Sequence, residues 1–163
     1  MTSKIARQIR LPFTISWVFL LAYFFANVEI QIEGAAGWAA NLPTWRIERH
    51  WLLDIFWGGR AMTGYHAWIF PCVALFLHFP LVFAGSWSWR AEARVLGCIL
   101  LFWIAEDFLW FVFNPAYGIA HFSSEFVPWH PHWWGMVPVD YWVSLGLSAL
   151  LFWCSCEPQR NKG

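Results

Sequence analysis

Apolar residues along this chain gather into four long runs, separated by two long connections and one short one. A helix advances about 1.5 Å per residue, so crossing roughly 30 Å of hydrocarbon takes about 20 mostly apolar residues. The pattern predicts spans at about 11–32, 62–84, 93–114 and 139–156. The fold class that follows is an all-α integral membrane protein. Its expected form is a four-transmembrane-helix antiparallel bundle, with residues 1–163 as a single transmembrane domain. Pro71 and Pro80 fall in the second span, where a missing N–H predicts a bend or an early end. The connection from Gly85 to Glu92 is short, so spans two and three should form an adjacent antiparallel hairpin.

The long connections have patterns of their own. From Thr44 to Trp57, Trp45, Ile47, Trp51, Leu52, Ile55 and Phe56 share one side of a helical projection. Arg46, Arg49, His50 and Asp54 share another, and Gly58-Gly59 ends the segment. The expectation is an interfacial helix lying on the membrane in the first long loop. Trp38, Trp45, Trp51, Trp57, Trp129, Trp133, Trp134 and Trp142 cluster at the same end of the bundle, where indole rings suit the water–lipid boundary. Both long loops should therefore fold over that end.

Composition supports the membrane reading. Of 163 residues, 60% are hydrophobic and only 12% charged, against roughly 25% charged in soluble domains. A soluble chain this short could not bury 15 Trp and 16 Phe. The net charge of +0 points to no nucleic-acid partner, and membrane lipid is the partner that composition implies. Cys72, Cys98, Cys154 and Cys156 lie in apolar stretches without a Cys-x-x-Cys pair, which fits buried thiols better than redox chemistry.

Charge placement sets the expected orientation, because Lys and Arg beside a span tend to stay cytoplasmic. Lys4, Arg7, Arg10, Arg90, Arg94, Arg160 and Lys162 fall on one side. Arg46, Arg49 and Arg60 fall on the other, with Glu48 and Asp54 as neighbours, and residues 115–138 contain no Lys or Arg. Both termini are expected in the cytoplasm, in a cell inner membrane. The stretch from Lys4 to Ala26 is too long for a typical signal-peptide core and lacks a convincing cleavage site, so it reads as a span.

With that topology the polar residues sort toward the outer half. Glu29 and Glu33 end span one, and His66 begins span two. Glu106, Asp107 and Asn114 lie in the outer half of span three, and Asp140 opens span four. His50, His121, His130 and His132 occupy the loops. An acid near mid-helix costs about 3 kcal/mol on insertion scales, and Glu106-Asp107 places two side by side. Adjacent helical residues diverge by about 100°, so one acid should face the bundle and the other a neighbouring helix or the loops. In His130-Pro131-His132 an extended backbone would align the two imidazoles, whereas a polyproline turn would separate them.

Glu33, His66, Glu106, Asp107, His130, His132 and Asp140 form a carboxylate–imidazole set suited to Zn, Mn or non-haem Fe, with His66, Asp107, His130 and His132 as the expected ligands. None has a diagnostic spacing. The catalytic candidates are Glu106, Asp107 and Asp140. Without a metal, Asp107 and Asp140 could share one proton as an aspartic dyad. In size, span number and outer-side acids the chain is similar to lipoprotein signal peptidases. That likeness is architectural, since Phe113-Asn114-Pro115-Ala116 departs from the family's Asn-x-x-Asp pattern.

The expected activity is that of a membrane hydrolase or oxidoreductase at the extracytoplasmic face, acting on an apolar or lipid-like substrate. Two other classes use the same residues: a non-catalytic subunit or assembly factor of a larger membrane complex or homo-oligomer, and a carrier of protons or a small solute. Arg46, Arg49 and Arg60 either meet lipid phosphate or pair with Glu48 and Asp54.

Overall fold

A computed structural model describes residues 2–156, without the side chains of residues 2–10 and Phe56. Arg160 and Lys162, two of the cations that orient the chain, lie outside the described residues. The elements run α1 (Thr2–Glu33), β1 (Arg46–Ile47), α2 (Trp51–Phe56), β2 (Met62–Thr63), α3 (Gly64–Ala84), α4 (Trp89–Phe113), a 3-10 turn (Ile119–His121), β3 (Trp133–Trp134), β4 (Val137–Pro138) and α5 (Val139–Cys156). Four candidate spans, Leu11–Glu33, Gly64–Ala84, Trp89–Phe113 and Val139–Cys156, are long and apolar enough to cross a bilayer. The chain is an integral multi-pass membrane protein in contact with lipid.

Local chemistry sets the helix boundaries. The Thr63 hydroxyl accepts from His66 N at 3.2 Å and starts α3, while Gly85 ends it in the left-handed region at φ 58°. The Ser88 hydroxyl caps α4 by accepting from Ala91 N at 3.2 Å, so α4 begins four residues earlier than the apolar run predicts. α3 stays helical through Pro71 and Pro80, so the span does not end early.

The first long loop departs from the pattern over 44–57. Arg46 and Ile47 pair with Thr63 and Met62 in a short antiparallel ladder, which commits that backbone to strand. The interfacial helix is confined to Trp51–Phe56, where His50 Nδ1 accepts from Leu52 N at 3.2 Å.

α4 is the hub of the bundle. It packs most extensively on α5 and α1, while α3 rests on it along a narrower seam. Half of the most apolar window of α4 is buried, against 6% of that of α3, so α3 turns most of its surface toward lipid. Lipid tails are as apolar as leucine, so close packing and interhelical hydrogen bonds must hold the helices together. Gly97 supplies both: the Ser148 hydroxyl donates to its carbonyl at 2.9 Å, and a Cβ there would meet Phe152 at 3.1 Å. Val18, Ala22, Val73, Leu101, Phe102 and Ala105 complete this core.

A second apolar cluster of Ala26, Ile30, Trp110, Phe111 and Val127 anchors the second long loop onto α1 and α4. The Asn114 amide donates to Gly34 O at 2.7 Å, and its carbonyl oxygen accepts from Ala116 N and Tyr117 N. The loops also hold each other, with the Trp38 indole donating to Ala61 O at 2.7 Å and Arg60 Nε to Trp129 O at 2.8 Å. Both therefore fold over one end of the bundle.

Candidate functional site

Beneath those loops lies a cavity of about 120 Å³. Glu29 and Glu33 reach it from the last turns of α1, His66 and Phe70 from α3, Glu106 and Asp107 from α4, and Asp140 and Tyr141 from α5. Trp38 and Arg60 come from the first long loop, and Trp129 and His130 from the second. Helical spacing brings the α4 residues to the cavity in register: Trp103, Asp107 and Trp110 recur on adjoining turns.

Glu106 and Asp107 face different partners. Glu106 is 3% exposed and meets Glu29 of α1, carboxyl to carboxyl. That pairing requires a proton between the two oxygens. Tyr65 donates to Glu29 Oε1 at 2.9 Å, and among the described residues no donor other than the Glu29 carboxyl reaches Glu106 Oε1. Asp107 turns toward the loops and α5. Its Oδ2 lies 3.1 Å from His130 Nε2 and accepts the Tyr141 hydroxyl.

His130 is 3% exposed and both its ring nitrogens have partners. Nδ1 lies 2.5 Å from Arg60 Nη2 and 3.2 Å from Asp140 Oδ2, while Arg60 forms an ion pair with Asp140. A guanidinium can only donate, so a neutral His130 accepts from Arg60 at Nδ1 and presents N–H to Asp107. Asp140 accepts from the Arg60 guanidinium beside that nitrogen. Burial pulls the Arg60 guanidinium below its ordinary value, opposed by the charge of Asp107; an arginine still remains cationic there.

The imidazole therefore stands between Asp107 and Asp140. Asp107 Oδ2 lies 3.1 Å from Nε2 and Asp140 Oδ2 3.2 Å from Nδ1, so the ring sits between the two acids that the sequence offers as a dyad. His132 is exposed and absent from the cavity wall, two residues beyond the buried His130. Among the described residues no three His, Cys, Asp or Glu side chains form a metal-ligating group. His66, Asp107, His130 and His132 thus do not converge as a ligand set. The physical obstacles are the exposure of His132 and a guanidinium already seated beside His130.

His66 is held by Thr63, with Nδ1 2.6 Å from the hydroxyl, and stacks on Trp38 at a ring separation of 4.0 Å and an angle of 20°. Trp38 and Ala39 both take left-handed backbone at φ 56° and 53°, which L-residues rarely adopt. Glu33 holds this turn by accepting from Ala39 N at 2.5 Å. The turn places the Trp38 ring between His66 and Arg60, whose guanidinium lies 5.1 Å from the ring centroid.

Trp38, Trp103, Trp110 and Trp129 wall the cavity, whereas Trp45, Trp51, Trp134 and Trp142 are exposed at the loop-covered end. Arg46 pairs with Glu48 at 3.1 Å, as a surface pairing would have it. Arg60 instead turns inward. Its contribution, and those of Tyr65 and Tyr141, are not marked by any spacing in the sequence. The one available signal for Arg60 is position, since it is an arginine directly after Gly58-Gly59 and four residues before a span. Comparison of the chain with known protein families, curated proteins and solved structures finds no significant match.

Proposed function

We propose that this protein is a membrane enzyme performing acid–base chemistry on an apolar or lipid-like substrate, with Asp107 as the substrate-facing acid or base. The observation carrying this reading is the hydrogen-bonded Asp107–His130 pair in a cavity wall within a membrane-spanning bundle. His130 and Tyr141 both bond Oδ2, which leaves Oδ1 of Asp107 without either donor. Oδ1 takes a proton from a bound substrate and returns it later. His130 acts as the positioning residue, its Nε2–H held on Oδ2 while Arg60 donates to Nδ1. Walling by Phe70, Trp103, Trp110 and Trp129 keeps the local dielectric low, so each polar contact counts for more than it would in water. The charge pattern supports placing this end of the bundle outside the cytoplasm, with lipid of the outer leaflet within reach.

Untargeted mass spectrometry of lipids from cells expressing the wild type and Asp107→Asn tests the reading. A precursor–product pair that shifts with the wild type alone is the expected result. Identical lipid profiles would overturn it. Elemental analysis of the same preparations covers metal-assisted chemistry: stoichiometric Zn, Mn or Fe in the wild type, lost in Asp107→Asn and His130→Ala, would replace the metal-free scheme. One observation favours a subunit role instead. α3 projects Trp68, Phe76 and Phe83 outward, and a constant membrane-protein companion on purification would support that role.

A further inference from the structure

The cavity is polar at one end only. Past Asp107 its wall continues as Trp103, Ile104 and Leu100 of α4, Phe70 of α3 and Ser144 of α5, all half-buried rather than sealed. Leu100 is seven residues from Asp107, roughly 10 Å along the helix. α3 and α5 flank this stripe, each resting on α4 without forming a packed seam with the other. All three helices are candidate spans, so the neighbour along the stripe is the bilayer.

Size and charge limit what can use this route. The cavity, about 120 Å³, is smaller than the roughly 150 Å³ apolar cavity that admits benzene. It can enclose a head and a few carbons, and a longer chain must continue outward between α3 and α5. At the polar end five carboxyls, Glu29, Glu33, Glu106, Asp107 and Asp140, line the cavity, and its arginine is already engaged with Asp140 and His130. An anionic head meets repulsion there, whereas a head that donates hydrogen bonds meets acceptors, including Asp107 Oδ1, which neither His130 nor Tyr141 occupies.

We infer that the cavity takes a single-chain membrane amphiphile with a hydrogen-bond-donating, non-anionic head, a hydroxyl or an amine, arriving sideways between α3 and α5. The head lies at Asp107 and the chain follows Trp103, Ile104 and Leu100 into the bilayer. This rests on the reading of the cavity as a substrate site, and it adds the substrate's class and its path.

The test uses the full chain in phosphatidylcholine nanodiscs with hexadecanol, hexadecylamine or palmitate, each carrying a photoreactive diazirine in its chain. Adducts are mapped by peptide mass spectrometry. Hexadecanol, hexadecylamine or both should label residues 100–104 about tenfold above the lipid-facing Leu75, Phe76, Leu147 and Leu150, and palmitate should show no such enrichment. Ser144→Trp, which places an indole in the groove, should remove the enrichment and leave lipid-facing labelling unchanged, which reports an intact fold. Leu100→Trp repeats the block from the opposite wall should the first variant not fold. Even labelling of groove and lipid-facing positions, enrichment of palmitate, or indifference to both substitutions would overturn the inference. Groove labelling together with an unchanged cellular lipid profile would overturn the enzyme reading and leave the binding inference standing.

Discussion

Trp129 lies against the bare Cα of Gly37 so closely that a Cβ there would stand 2.6 Å from two carbons of the indole ring. Neither ring carbon can give way alone, because the same ring stacks near Phe111 at an interplanar angle of 10° and its residue's carbonyl holds Arg60. Gly37→Ala should push Trp129 off its seat and loosen the arginine behind it. Overpacking of this kind costs about 1–3 kcal/mol. Thermal unfolding in detergent should show a lower midpoint, accompanied by reduced turnover. An unchanged midpoint would mean that the loop accommodates the methyl.

Glu106 and Asp107 are neighbours in sequence, yet their isosteric amides should behave differently. Glu106→Gln gives the Glu29–Glu106 contact a permanent N–H donor in place of the shared proton, so stability should stay within about 1 kcal/mol of wild type. Asp107→Asn can still accept from Tyr141 and His130, so the fold should persist. Its side chain can no longer take up a proton, and loss of a positioned acid–base group costs roughly 10²-fold or more in rate. Detergent melting and lipid turnover, measured on both variants, separate the two roles. Equal turnover by Asp107→Asn and wild type would remove Asp107 from the chemistry.

Much of the fold is legible in the sequence, because hydrocarbon thickness is a strict ruler. Runs of apolar residues near twenty long leave little freedom, and α3 and α5 end where their runs end. The gathering of acids and His66 at one end is legible for the same reason, since Glu33, His66, Glu106, Asp107 and Asp140 are ordered in depth by helix position. Pairing across loops obeys no such ruler. Arg46 and Arg60 look alike in the sequence, yet one is half-buried between Glu48 and the Ala39 carbonyl and the other lies beside His130, 70 residues away. The 44–57 pattern misleads for a similar reason, as a two-residue ladder with Met62–Thr63 outweighs local amphipathicity over Arg46–Ile47. Likewise His130 and His132 carry equal weight in sequence, and only the tertiary partners Asp107 and Arg60 draw one inside while the other stays exposed.

Arg60 joins the two long loops, through Trp129 O and the Asp140–His130 pair. Arg60→Gln should therefore leave Asp140 without its cation and release the second loop from the first. Losing one partner of a buried charged pair costs about 3–5 kcal/mol, of which the partial exposure of Asp140 should spare a part. Hydrogen exchange should rise across residues 114–138 while α4 and α5 stay protected. Exchange unchanged in that loop would show that apolar packing by Val127 and Trp129 suffices to hold it.

The side of the membrane on which the cavity opens decides which leaflet supplies a substrate, and charge placement predicts the extracytoplasmic one. With the four native cysteines replaced by serine, Ser124→Cys and Ser86→Cys report the two ends, since both positions are exposed and lie in opposite connections. A membrane-impermeant maleimide should label Ser124→Cys in intact cells and Ser86→Cys only after permeabilisation. The reverse pattern would turn the cavity toward the cytosol. Asp107 and His130 would keep their geometry in that case, but the lipid they meet would be that of the inner leaflet, and Arg90 and Arg94 would face outward against the usual retention of cations beside a span.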